Sequence, residues 1–224
     1  MVSLPHSLFT IGYSTHTQES FLYLLQKYSV TALADVRSEP FSKYKPEFNR
    51  NILSAFLNKN GIRYVFLGDE CGARIKAQEC YINGKAEYKL IAKHPIFLHG
   101  LERIKKGLLT QTIALMCAEK DPIQCHRTIL ICRNLRHENI EISHILFDGL
   151  LESQSNVEKR LLRFFNLDMP NLFKDDKEKI IEAYDRQAEV IAYINKSDVE
   201  NIEEEVLDTH DNPLYDRFHK EIRA

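Results

Sequence analysis

A chain of 224 residues, 44% hydrophobic and 28% charged, can bury a sizeable core and is not built for wholesale disorder. Its net charge of −2 carries no basic excess, so nucleic-acid binding would need a local patch. No apolar run nears the roughly 20 residues that cross a bilayer. The first residues lack the basic, apolar and small-residue pattern of a secretory signal. Five scattered cysteines read as reduced thiols, so the expectation is a cytoplasmic protein with no membrane association.

Ser7 to Gly12 reads as a short buried strand. Thr17 then caps a helix that spaces Phe21, Leu24, Leu25 and Tyr28 at i, i+3, i+4 and i+7. Val30 to Val36 is a second apolar strand, followed by a polar loop with Pro40 and Pro46. Asn49 or Asn51 opens a helix with Ile52, Leu53, Phe56 and Leu57 toward the core, and Gly61 stops it. Ile62 to Leu67 is the third strand. This β-α-β-α-β series predicts parallel strands with right-handed crossovers. Residues 68–95 are broken by Gly68, Gly72, Gly84 and Pro95. A helix through Phe97, Leu101, Ile104 and Leu108 follows, then a strand over 112–117, a helix over 126–138 and a strand over 141–146. The runs Ala32-Leu33-Ala34 and Ile113-Ala114-Leu115-Met116 are continuously apolar, as in a parallel sheet covered by helices on both faces. The predicted architecture is α/β, with a mainly parallel sheet of about five strands in residues 1–150. Residues 151–224 form a helical extension packed on that sheet, ending in a charged tail that contains Glu203-Glu204-Glu205.

In such sheets ligands bind beyond the carboxyl ends of the strands. Those ends carry Gly12, Tyr13 and Ser14, then Asp35, Arg37 and Ser38, then Asp69 and Glu70, then Cys117 and Glu119. Cys125, His126 and Arg127 fall in the first turn of the next helix, where free N–H groups and the helix dipole favour a thiolate or an anion. Cys117 or Cys125 would be the nucleophile or redox group, Glu119 and His126 the acid and base, and Arg37 and Arg127 the anion clamp. The bland alternative is that both cysteines are buried packing residues. Cys117, Cys125, His126 and His144 also supply soft metal ligands, but they form no tight pair, and adjacent Cys125 and His126 would point apart on a helix. No metal or cofactor is assigned on these grounds. An arginine at position 123 or 131 would complete a cysteine-phosphatase loop, and both positions hold isoleucine. Neither the dinucleotide-binding glycine pattern nor a phosphate-binding P-loop occurs. In the loop over 38–50, Tyr44 and Phe48 could close over a ligand.

Together, Thr10-Ile11-Gly12-Tyr13-Ser14, Asp35-Val36-Arg37-Ser38-x-Pro40, Leu67-Gly68 to Gly72-x-Arg74, Cys117-Ala118-Glu119, Cys125-His126-Arg127 and His144-Ile145 resemble the domain of unknown function 488 family. The resemblance covers residue 8 to about 147, and a helical end of longer members extends it. It implies a Rossmann-like three-layer α/β fold and no established activity. Two functions stay open. One is a cysteine-dependent enzyme acting on an anionic substrate, a nucleotide or nucleic-acid component among the candidates. The other is a non-catalytic nucleotide or nucleic-acid binding module, or a Cys/His metal-binding protein. Oligomeric state is left open.

Overall fold

The computed structural model describes residues 6–169 and 174–195. In chain order the elements are β1 (His6–Gly12), α1 (Gln18–Lys27), β2 (Ala32–Asp35), α2 (Arg50–Lys59), β3 (Arg63–Phe66), a one-turn α3 (Gly68–Cys71), β4 (Tyr81–Ile82), β5 (Lys85–Ala86) and α4 (Tyr88–Ile91). There follow α5 (Pro95–Leu108), β6 (Ile113–Cys117), a π-helical stretch (Arg127–Cys132) running into α6 (Arg133–Leu135), β7 (Ile140–Ile145), β8 (Leu151–Ser153), α7 (Gln154–Phe164) and α8 (Asp176–Ile191). The Glu203-Glu204-Glu205 run lies outside the described residues.

One sheet has the order β3-β2-β6-β1-β7-β8. Its first five strands are parallel and β8 pairs antiparallel at the edge. Successive side chains on a strand face opposite ways, and the core divides accordingly. Ile11, Leu33, Ala114, Met116 and Ile145 join Phe21 and Leu25 of α1 and Leu53 and Leu57 of α2 on one face. Leu8, Ala34, Leu115 and Ile142 join α5, the π-helical stretch, α7 and α8 on the other. This is a Rossmann-like three-layer α/β fold. Coverage on both faces is the reason the strand sequences are apolar without alternation.

Local chemistry sets the element ends. Thr17 and Ser20 form a reciprocal capping box that starts α1. Asn83 and Gly84, with φ of 50° and 72°, make the two-residue turn of the β4-β5 hairpin. One expectation fails in α2, where Ile52 is exposed while Leu53 and Leu57 are buried. Leu53 and Leu57 stand at i and i+4 and face the sheet; Ile52 is about 100° from Leu53 around the helix and turns away. Among the described residues no helix is long and apolar enough to cross a membrane.

The order of strands matters for function. β6 inserts between β1 and β2, the first two strands of the chain, so the sheet grows in both directions from this point. A crevice opens beyond the carboxyl ends of strands at such a reversal.

Candidate functional site

β6 delivers Cys117 to this crevice on the face covered by α5 and α8. The ladder runs on past the strand ends, because Tyr13 N–H donates to Cys117 O and Ser14 N–H to Ala118 O, both at 3.0 Å. The Asp121 carboxylate then accepts from Ile123 N–H, and Pro122 opens a 3-10 turn over Pro122–Gln124. Cys125 is extended, with φ −136° and ψ 138°, and its carbonyl accepts from Thr128 and Ile129. It therefore precedes the π-helical stretch instead of lying in a helical turn. The expectation that Cys125 and His126 point apart is corrected by this backbone change at Cys125.

Both sulfurs face one nitrogen. Cys117 Sγ lies 3.6 Å from His126 Nδ1, and Cys125 Sγ lies 3.8 Å from the same atom. Cys125 Sγ is also 2.9 Å from Glu119 Oε2. His126 Nε2 is 2.9 Å from Val36 O. A carbonyl only accepts, so Nε2 carries a proton and Nδ1 is the ring atom turned to the thiols. Burial opposes the charged ring, but hydrogen bonding to Cys125 and the nearby negative charge outweigh it and hold His126 above the usual imidazole value. The two thiols differ sharply in acidity. Burial opposes a Cys125 thiolate, but hydrogen bonding from Cys117 and the charges of Arg127 and His126 outweigh it, holding Cys125 well below the usual thiol value. Cys117, hydrogen-bonded to Cys125 and buried, is pushed well above it.

Arg127 lies behind this cluster and is fully buried. It donates from Nη1 to Glu119 O at 2.7 Å and from Nε to Thr10 Oγ1 at 3.3 Å. Thr10 in turn donates to His144 Nδ1 at 2.9 Å, and His144 Nε2–H donates to Gln154 Oε1 at 2.9 Å. Gln154 Nε2 continues to Tyr184 Oη, and Tyr184 to Glu158 Oε1. His144 is thus a satisfied core histidine outside the cysteine cluster. Burial, with the Arg127 charge added, pushes it down to about 3 from 6.5. The unfolded chain takes up this proton below about 6.5 and the folded chain does not, so this group's stabilisation is complete above 6.5 and is lost as pH falls toward 3. The native chain is therefore expected to lose about 2 kcal/mol more unfolding free energy than His144→Gln between pH 7 and 4.5. Urea titrations at the two pH values measure this difference, and equal losses in both proteins would refute it.

Above the cluster is a cavity of about 350 Å³, lined by Cys117, Glu119 and His126 with Tyr13, Arg37 and Tyr88. Arg37 is almost fully buried and held by Asp35, to which it donates from Nε at 2.9 Å and Nη2 at 2.6 Å. Nη2 also donates to Phe48 O at 2.9 Å, and the guanidinium lies 4.9 Å from the Tyr13 ring centroid. Ser38 lines the cavity and accepts from Arg74 N–H at 2.9 Å.

Other predicted residues take different places. Gly12 is a spacer: a Cβ there would meet Glu119 O at 1.9 Å. Ser14 is exposed and contributes its backbone N–H to the ladder. Asp35 sits beneath Arg37, away from the cavity surface. Glu70 is not brought to the cavity; its carboxylate pairs with Arg103 of α5. Phe48 is no lid, because it is fully buried and stacked on Tyr13 at 4.6 Å. Tyr44, 97% exposed, is outside the cavity lining. Tyr88 and Tyr193 line the cavity without having been marked by any strand-end pattern, since tertiary folding alone brings α4 and the residues after α8 to this crevice.

No match was found among curated proteins or among solved structures. A family model matches residues 17–133, a span that holds Arg37, Cys117, Glu119, Cys125, His126 and Arg127. With half of its length so matched, the chain belongs to the family described as domain of unknown function DUF488.

Proposed function

We propose that this cavity is the active site of an enzyme acting on a small phosphate-bearing, nucleotide-like substrate, with Cys117, Cys125, His126 and Glu119 as its reacting floor. One observation carries the reading. Two buried polar atoms that belong to lining residues, Arg37 Nη1 and Tyr88 Oη, have no protein partner among the described residues. Buried donors left unpaired cost about 1–3 kcal/mol each, so a ligand that accepts from them is favoured. A phosphate oxygen suits a guanidinium whose other N–H groups are already fixed on Asp35. Tyr13, Phe41, Tyr88 and Tyr193 add aromatic faces for a planar ring, and about 350 Å³ is within the range of small-molecule sites. In this reading Arg37 and Arg74 hold the anion, Glu119 exchanges the proton, and Cys117 is the sulfur facing the substrate.

Calorimetric titration of the full chain with inorganic phosphate and with adenosine monophosphate is the first test. The nucleotide is expected to bind more tightly than phosphate, and Arg74→Ala to weaken it about tenfold. No heat from either ligand at millimolar concentration would overturn the reading. Incubation with a panel of nucleoside monophosphates, followed by chromatography, tests catalysis. Turnover of a panel member is expected, falling by about 10²-fold or more in Glu119→Gln. Binding without turnover across the panel would assign the pocket to a non-catalytic module.

A further inference from the structure

We infer that Cys117, Cys125 and His126 are a three-ligand site for a zinc-class divalent transition metal, with the fourth position opening onto the cavity beside Glu119. The three donor atoms lie within 4.8 Å of one another. Metal–sulfur and metal–nitrogen bonds of about 2.3 and 2.1 Å at tetrahedral angles put sulfur and nitrogen about 3.6 Å apart. The two observed separations are 3.6 and 3.8 Å.

Cys125 S–H donates to Glu119 Oε2, which leaves Cys117 as the thiol with His126 Nδ1 as its partner. Both sulfurs nevertheless stand at nearly equal distance from His126 Nδ1, as ligands do around a shared ion. The tautomer is also the one a metal requires. Val36 O holds a proton on Nε2 at 2.9 Å and turns Nδ1 to the sulfurs, which is the usual outer-shell support of a metal-bound histidine. Two sulfurs and an imidazole select zinc over the oxygen-seeking cations magnesium and calcium.

Glu119 is placed as a neighbour of the ion, not its fourth ligand. A carboxylate oxygen and a sulfur on the same tetrahedral ion stand about 3.5 Å apart. Glu119 Oε2 is 2.9 Å from Cys125 Sγ, inside that separation. Three protein ligands and one open position describe a catalytic metal site, whereas structural sites are closed by four. The open position takes water, and the implied reaction class is hydrolysis. Water gives a proton to Glu119 and its oxygen to the substrate; the bond to the leaving group breaks, and Glu119 returns the proton to that group. One water is consumed, and no oxidant or reductant is needed.

The metal site stands on geometry alone, and only the hydrolytic role rests on the enzyme reading above. The full chain, purified without a metal-affinity tag or chelator, is expected to carry one zinc by elemental analysis. Cobalt exchange should give thiolate-to-metal charge-transfer bands and intense tetrahedral d–d bands. Cys117→Ser and Cys125→Ser should lose both signals, while Glu119→Gln and Cys80→Ala keep them. If the serine variants fail to fold, the cobalt spectrum of the native chain decides. Well under one metal per folded chain, with no charge-transfer band after cobalt addition, would overturn the site. Metal-free protein that still binds adenosine monophosphate sinks this inference alone. Metal-loaded protein that binds no nucleotide sinks the substrate reading alone.

Discussion

Asp35→Ala is expected to cost about 3–5 kcal/mol of folding stability, the largest effect of any side chain around the pocket. Asp35 is fully buried and takes both ends of the Arg37 fork, the Arg37 backbone N–H at 3.1 Å and the Tyr64 hydroxyl at 2.6 Å. Removing it leaves a buried guanidinium whose contacts among the described residues are Phe48 O and the Tyr13 ring, and strands the Tyr64 hydroxyl as well. The cost is that of an uncompensated buried charge, not of the ion pair itself. It follows that Asp35→Ala/Arg37→Met should be more stable than Asp35→Ala, since it removes the stranded charge. For a chain of this size the single change lowers the melting temperature by about 10 °C. Thermal and urea unfolding of the native chain and the two variants measures the cycle. A loss under about 1 kcal/mol in Asp35→Ala would show that the charge finds water, and the pair would then not be what aims Arg37.

The pair has a second consequence. By occupying Nε and Nη2, Asp35 and Phe48 fix the plane of the guanidinium and leave Nη1 as the group without a partner among the described residues. The same substitution should therefore weaken phosphate and nucleotide binding more than Arg74→Ala does. Arg74 is half-exposed, paired with Glu39 at the surface and laid over the Tyr193 ring at 4.4 Å.

What the sequence revealed and what it hid divide along physical lines. β1, β2 and β6 were legible because strands covered on both faces are unbroken apolar runs. The gathering of polar groups at their ends was legible because such groups have no packing reason to be there. Tyr13, Arg37, Ser38, Cys117, Glu119 and His126 do meet at one cavity. Glu70 does not, because α3 directs its carboxylate toward α5 and Arg103. The Cys125–His126 pairing was hidden by a backbone detail. A 3-10 turn at Pro122 and an extended Cys125 stop the helix from beginning where its apolar spacing begins. The gathering of the Cys117, Cys125 and His126 donor atoms within 4.8 Å was hidden for a related reason: they come from a strand end and the loop after it, not from a tight hairpin. Phe48 resembled a lid because loop aromatics often are. Its ring is stacked on Tyr13 and set edge-on to Phe21 at 5.4 Å, inside the core.

Gly12→Ala is expected to be the second large effect, at about 3 kcal/mol. A Cβ at position 12 would stand 1.9 Å from Glu119 O and 3.0 Å from Lys120 Cα. Both are backbone atoms, so no rotamer change relieves the overlap and the segment after β6 must move. That segment carries Glu119, whose carbonyl is the acceptor of the buried Arg127 Nη1 and whose carboxylate touches Cys125. Displacing it strains the Arg127 hydrogen bond and separates the Glu119 carboxylate from the sulfur cluster. Gly12→Ala should therefore lower both the melting temperature and nucleotide turnover, the latter by more than the stability loss alone explains. Gly107→Ala is the comparison, because its Cβ would meet only the terminal Cδ1 of Ile113, at 2.8 Å, and that side chain can turn aside. It should stay within about 1 kcal/mol of the native chain, helped by the helix preference of alanine within α5. If Gly12→Ala melts and turns over like the native chain, contact between the two strand ends does not position Glu119.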